Sequence, residues 1–205
     1  MSDFLLSLQD VSLAFGGPPV LDEVSLSVTR GLRAALTGRN GEGKSTLFKV
    51  IAGELEPDSG EIVRSPGLKT AFVSQAVPAD RPGDDAFNAL SGGKRRRKIL
   101  EEALLSHPDI LLLDEPTANI DPGAEEQFYG ILDKLRKRMT VVTVSHDLGF
   151  VNRETDLIIC VNKQVVTHTP ADFTAETANE IYHHHMSLIK HDHSCFCHCE
   201  NGEGK

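Results

Sequence analysis

Two stretches near the start of the chain, Leu5-Leu6-Ser7-Leu8-Gln9-Asp10-Val11 and Val24-Ser25-Leu26-Ser27-Val28, mix apolar and polar residues at short period, as half-buried strands do. Later apolar runs differ in kind. Residues 33–37, 70–74, 110–114, 140–145 and 157–161 are short and nearly uninterrupted, the pattern of strands covered on both faces. Helices are predicted between them over 44–52, 92–105 and 124–138. Strands alternate with helices after the first third, which predicts an α/β sandwich with a mostly parallel core sheet and an antiparallel N-terminal β subdomain. Asp58-Ser59-Gly60 and Ser65-Pro66-Gly67 read as turns, and no internal repeat is visible.

Between the strand at 33–37 and the helix at 44–52 stands Gly38-Arg39-Asn40-Gly41-Glu42-Gly43-Lys44-Ser45-Thr46, which fits the phosphate-loop pattern G-x-x-x-x-G-K-[ST]. Its strand–loop–helix context is the one that pattern needs. The glycines let successive backbone N–H groups turn inward around phosphates, and the helix N-terminus adds its positive dipole end. Lys44 is placed to reach the terminal phosphates and Ser45 to offer a hydroxyl to Mg²⁺. These features predict a P-loop nucleoside triphosphatase.

Two further sequences narrow the class: Leu90-Ser91-Gly92-Gly93-Lys94 and Ile110-Leu111-Leu112-Leu113-Asp114-Glu115. Together with the phosphate loop they resemble an ATP-binding cassette. That family carries, in order, an adenine-stacking aromatic, the phosphate loop, a glutamine, the LSGG signature, the Walker B carboxylates, a D-loop and a switch histidine. This chain supplies Phe15, Gly38 to Thr46, Gln75, Leu90 to Gly93, Asp114 with Glu115, Asn119-Ile120-Asp121, and His146. The resemblance spans most of the first 150 residues.

It implies a role for each residue. Asp114 ends a buried apolar run, so its carboxylate emerges at the C-terminal edge of the sheet, where open α/β sheets place ligands. There it would hold Mg²⁺ with Ser45 and Gln75. Glu115 would orient and deprotonate the attacking water, Gln75 would touch both metal and water, and His146 would contact the γ-phosphate. Taken alone, an acidic pair at a strand end is more often a helix cap, and a lone histidine more often a surface or core residue. Ser91, Gly92 and Gly93 should open a helix and present donors to an anion. A phosphate held by Lys44 of the same chain cannot also sit there, so the signature should serve a second chain. Two copies facing head to tail would sandwich two ATP molecules, as the family does.

Composition sets limits. At 205 residues the chain can bury one substantial core. A hydrophobic content of 40% and a charged content of 25% are ordinary for a globular protein, and a net charge of −9 disfavours nucleic acid as a partner. No apolar run reaches membrane-spanning length, and Met1-Ser2-Asp3-Phe4 lacks the basic start of a signal peptide. The expected location is cytoplasmic, peripheral on the inner face of the cell membrane through a partner. The basic run Lys94 to Lys98 reads either as a solvated helix face or as help in anion binding. Cys160, on an apolar strand, is expected in the core.

The chain departs from the family at one place. Only 14 residues, Ala76 to Ala89, separate Gln75 from Leu90, and they include Pro78, Pro82 and Gly83. In the family this interval carries a helical arm that positions the signature and receives the membrane subunit. Fourteen residues make at most one short helix of about 20 Å, and the prolines argue against one in the first half. The helical subdomain is therefore expected to be largely missing, with the signature helix anchored differently or poorly.

The segments 114–121, 145–151 and 160–168 resemble the ATPase subunit of zinc and manganese importers. That resemblance implies an integral membrane permease and, beyond it, an extracytoplasmic metal-binding protein as partners. The end of the chain adds to it. His183, His184, His185, His191, His193, Cys195, Cys197, His198 and Cys199 place six of nine histidines and three of four cysteines in the last 23 residues. Imidazole with thiolate suits Zn²⁺. The spacing lacks a C-x₂-C knuckle, so the expectation is an ATP-binding domain over 1–182 followed by a chelating tail over 183–205; a polar tail with incidental ligands is the plain alternative. Residues 37–44 and 52–60 resemble instead the soluble ABC-F factors that act on ribosomes, although those carry two cassettes. A regulatory, metal-sensing cassette is the third reading.

Overall fold

A computed structural model describes residues 4–116, 138–145 and 155–174, together with 128, 130–132, 134, 135 and 177. Strands β1 (Phe4–Ala14) and β2 (Pro19–Thr29) form a long antiparallel hairpin, joined on the other side of β1 by β4 (Ser59–Arg64). The second sheet has six strands in the order β5 (Thr70–Val73), β6 (Ile110–Asp114), β7 (Thr140–Val144), β3 (Arg33–Thr37), β8 (Leu157–Asn162) and β9 (Gln164–His168). Its first five strands are parallel and β9 is antiparallel to β8. Helix α1 (Lys44–Ala52) follows β3, α2 is the single turn Asp85–Asn88, and α3 (Gly92–Leu105) precedes β6. Residues 128, 130–132, 134 and 135 are helical, inside the helix predicted over 124–138.

The two-residue period of a strand divides the core into two. Ile110 and Leu112 of β6, with Val142 and Val144 of β7, face a large cluster that includes Leu47, Phe48, Val50 and Ile51 of α1 and the inner residues of the N-terminal sheet. Leu111, Leu113 and Val141 face the other way, onto Leu100 of α3 and onto Phe128 and Leu132. Strands with apolar residues on both faces belong between two layers, each fully buried Leu or Ile contributing about 1.5–3 kcal/mol.

Ser59-Gly60 is the start of β4 and not a turn. Gly60 has φ +92, and a Cβ there would lie 2.5 Å from the Asp10 carbonyl oxygen and 2.6 Å from Val11 Cα. The β1–β4 register shifts at the same place, between Gln9 and Ser12, so this glycine marks a bulge between two backbones in close approach. Asp58 still shapes the bend before it, accepting from the Ala14 N–H at 2.7 Å.

β3, β7 and β6 lie side by side with their C-terminal ends on one edge, Leu36 opposite Val144 and Val144 opposite Asp114. The loop leaving β3 and the carboxylates leaving β6, Lys44 and Asp114 being 70 residues apart, are thereby brought together.

Candidate nucleotide site

The phosphate loop is shaped by close packing as well as by freedom. Gly38 has φ +146, and a Cβ on it would come within 2.3 Å of the Val161 carbonyl oxygen. Gly43, the left-handed N-cap of α1 at φ +100, would meet the Val20 carbonyl oxygen at 2.8 Å. The loop is pressed between β8 on one side and the β1–β2 hairpin on the other, leaving room only for glycine at these two positions. Leu47 N–H donates to the Gly43 carbonyl at 2.8 Å, so the helix starts directly from the loop.

Lys44 is buried, and its Nζ donates to the carbonyls of Gly38 at 2.8 Å and Arg39 at 2.9 Å. Burial lowers its pKa, opposed by the charges of Glu115, Glu42 and Asp114. The Glu42 carboxylate accepts from the Arg39 N–H at 3.0 Å. A cleft of about 460 Å³ opens here, lined by Val20, Lys44, Ser45, Gln75, Asp114 and Glu115 among others. The cradle fits a polyphosphate: glycines that backbone fills, a buried ammonium, and a helix N-terminus aimed at the space. The hydroxyl of Ser45 and the carboxylates of Asp114 and Glu115 are hard oxygen donors suited to Mg²⁺.

Glu115 stands at φ +43, a left-handed conformation unusual for a residue with a side chain. Its N–H donates to the Val144 carbonyl at 3.2 Å, and its carboxylate accepts from Gln75 Nε2 at 2.8 Å. Gln75 and Glu115, forty residues apart, are thus in direct contact.

Phe15 lies at the end of the hairpin between β1 and β2 and is 65% exposed. The returning strand β2 contributes Val20 to the cleft wall. Ser91 is the extended N-cap of α3, and Gly92 and Gly93 face open space; none of the three lines the cleft of its own chain. Asp121, His146 and all nine tail residues from His183 to Cys199 lie outside the described residues. Among the described residues no cluster of three His, Cys, Asp or Glu is placed to hold a metal ion, and no helix is long and apolar enough to cross a membrane.

The basic run is not a uniformly solvated face. Lys94, Arg97 and Lys98 are exposed, but Arg96 is 8% exposed, with Nη1 donating to the carbonyls of Glu115 at 3.0 Å and Pro116, and Nη2 to that of Gln75 at 2.7 Å. Burial lowers its pKa, opposed by Glu115. Five adjacent cations gave no sign of which one turns inward; only the helical period measured from Leu100, four residues on, could have indicated it.

The shortened interval holds α3 by other means than a helical arm. Phe87 of α2 is buried, with the Arg81 guanidinium 3.9 Å from its ring centre. Arg81 reaches Glu102 of α3 at 2.9 Å, and Arg95 of α3 donates back to the carbonyls of Phe87 and Asn88. Asp84 caps α2 by accepting from Phe87 N–H at 2.9 Å. The signature helix is anchored, and anchored differently.

Known proteins agree with this architecture. Residues 21–77 and 68–118 match the family described as ABC transporter, the two matches overlapping beside the shortened interval. The chain is 33% identical to the zinc import ATP-binding protein ZnuC of Pseudomonas savastanoi pv. phaseolicola, over 95% of this chain and 89% of that protein. It is 32% identical to the ZnuC of Yersinia pestis, over 95% and 92% respectively. The alignment with the first runs over 240 positions, more than the 205 residues here, so that relative carries segments this chain lacks. An ABC transporter in an inward-facing conformation superposes with a TM-score of 0.78 at 21% identity, covering 88% of this chain and 89% of that one. The ADP conformation of an ATP-binding cassette superposes at 0.72, again at 21% identity, covering 88% and 97%. By its one-third identity to these relatives over nearly its whole length, the chain belongs to the ATP-binding cassette family of ATPases.

Proposed function

We propose that this chain is the ATP-hydrolysing subunit of a metal-ion import system of the zinc type, energising a separate integral membrane permease. The observation that carries the reading is the convergence of Lys44, Gln75, Asp114 and Glu115 on one cleft, in a chain about one-third identical to zinc import ATP-binding proteins. Zinc as the cargo rests on those relatives. The protein would sit on the inner membrane face through its permease, with an extracytoplasmic binding protein delivering the metal on the far side.

In this reading the adenine stacks on Phe15 and the triphosphate lies along residues 38–46, where Lys44 turns its ammonium from loop carbonyls to the terminal phosphates. Ser45, Gln75 and Asp114 would hold Mg²⁺, which would supply neutralisation of the negative charge on the phosphates. Glu115 takes a proton from a water held by Gln75 as the water oxygen bonds to the γ-phosphorus and the bridging P–O bond breaks, yielding ADP and phosphate. His146 contacts the γ-phosphate, and Asp121 belongs to the D-loop at the junction of two chains. Ser91, Gly92 and Gly93 of a second copy close the site from outside, in keeping with their exposure in the single chain. The tail over 183–205 is a separate chelating segment for Zn²⁺.

The shortened interval is the observation that would favour a regulatory, non-hydrolysing cassette, and the Phe87–Arg81–Arg95 anchor meets that objection by holding α3 without an arm. The test is ATP turnover. Lys44→Ala should lose ATP binding, and Glu115→Gln should bind ATP yet turn over about 10²–10⁴-fold more slowly. Wild type and Glu115→Gln hydrolysing at one rate would remove Glu115 from the mechanism. No restoration of growth in a zinc-uptake mutant supplied with this chain and its permease would reject zinc import.

A further inference from the structure

Arg96 stands where two functions of the family meet. It lies five residues after Ser91 on α3, about 7.5 Å along the axis, so a movement of the signature end of this helix is delivered to its guanidinium. That guanidinium turns away from solvent and donates to the backbone carbonyls of Gln75, Glu115 and Pro116, groups at the ends of two different strands. The Gln75 side chain in turn donates to the Glu115 carboxylate at 2.8 Å. The three residues form a closed ring: Arg96 to the Gln75 carbonyl, the Gln75 amide to Glu115, and Arg96 back to the Glu115 carbonyl. Only a planar fork with several fixed donors spans two strand ends at once, and a lysine's point charge does not. The ring also braces Glu115 in its left-handed conformation.

We propose that Arg96 is a positioning residue that links the two ATP sites of a dimer, setting Gln75 and Glu115 of one cleft according to the nucleotide held at the signature of the same chain. This rests on the proposed reading, in which that signature closes over the partner's ATP. Arg96 does not itself line the cleft. It passes the state of one site to the other through a rigid helix and three carbonyls.

The experiment compares wild type with Arg96→Gln and Arg96→Lys, using Lys98→Gln to remove a charge from an exposed position on the same helix. ATP affinity, kcat and the Hill coefficient are measured, with melting temperature as the check on folding. The expected result for Arg96→Gln is unchanged ATP affinity, kcat lower by about 10²-fold, and a Hill coefficient that falls from near the two sites of a dimer to one. Arg96→Lys, which keeps the charge but not the fork, should show the same loss of cooperativity with a milder loss of kcat; Lys98→Gln should match wild type. A purely structural role would lower affinity and melting temperature together and leave cooperativity intact, and that result overturns the proposal. If wild type binds ATP without turnover, the hydrolase reading fails, and cooperativity of binding alone decides the link: a coefficient of one only in the Arg96 variants supports it, and equal coefficients overturn it.

Discussion

Gly38 and Gly41 occupy one loop, and both have positive φ, yet they should answer differently to alanine. At Gly41, φ +86, nothing lies within 4 Å of an added Cβ, so the cost is backbone strain alone, about 1–2 kcal/mol. At Gly38 a Cβ would fall 2.3 Å from the Val161 carbonyl, and β8 would have to move. Urea denaturation should show Gly38→Ala losing well over twice the stability lost by Gly41→Ala; equal losses would mean the loop is not pressed against β8. Cys160 offers a second test. Burial pushes its thiol up from 9.0 to about 12. Between these values the unfolded chain gives up a proton that the folded chain keeps, so stability falls as pH rises. Going from pH 8 to pH 10 should cost wild type about 1.4 kcal/mol more than Cys160→Ala. The phosphate loop and the carboxylates were legible in the sequence because their chemistry fixes residue type and spacing together. Arg96 was not, because a buried arginine looks like its four basic neighbours until the strand ends that receive it are in place.

At the scale of elements, α2 and α3 carry the clearest consequence. Phe87 is 1% exposed and its ring is the centre of the contacts that replace an arm. Truncating a buried phenylalanine costs about 3–5 kcal/mol. The anchor is local, so that loss should appear as fraying of α2 and of the start of α3 while α1 and its loop are untouched. Phe87→Ala should therefore retain ATP affinity, raise hydrogen exchange over residues 85–95 and reduce kcat; a matching rise in exchange over 44–52 would contradict a local anchor. Arg81→Ala should do less, since its ion pair with Glu102 is partly exposed and such pairs contribute about 0–1 kcal/mol. The sequence predicts α1 and α3 with the bounds they have, since each starts at a glycine-bearing loop and runs on into apolar positions. β4 and β9 were invisible. Ser59–Arg64 and Gln164–His168 bury little, and it is pairing with β1 and β8 that makes them strands.

For the whole molecule, the position of the signature decides what a single chain can do. Ser91 to Gly93 are exposed and do not line the cleft, so hydrolysis should depend on two chains meeting. Specific ATPase activity should rise with protein concentration until dimers predominate, and a constant rate from a demonstrated monomer would contradict the sandwich. Ser91→Arg should then abolish turnover at nearly unchanged ATP affinity, because in the proposed sandwich that serine would act on the partner's nucleotide. The proposed division of the chain after residue 182 rests on composition alone, histidine and cysteine being concentrated beyond it. Among the described residues the cleft walls come from positions no later than Glu115, with Val161 and Lys163 packing on the loop, and none of these walls is in the tail. A chain ending at Tyr182 should accordingly fold, bind ATP with the affinity of the full chain, and lose its Zn²⁺ stoichiometry in equilibrium dialysis. Zinc binding that persists after truncation would put the ligands in the cassette. A parallel loss of ATP affinity would show that the tail contributes to the nucleotide site after all.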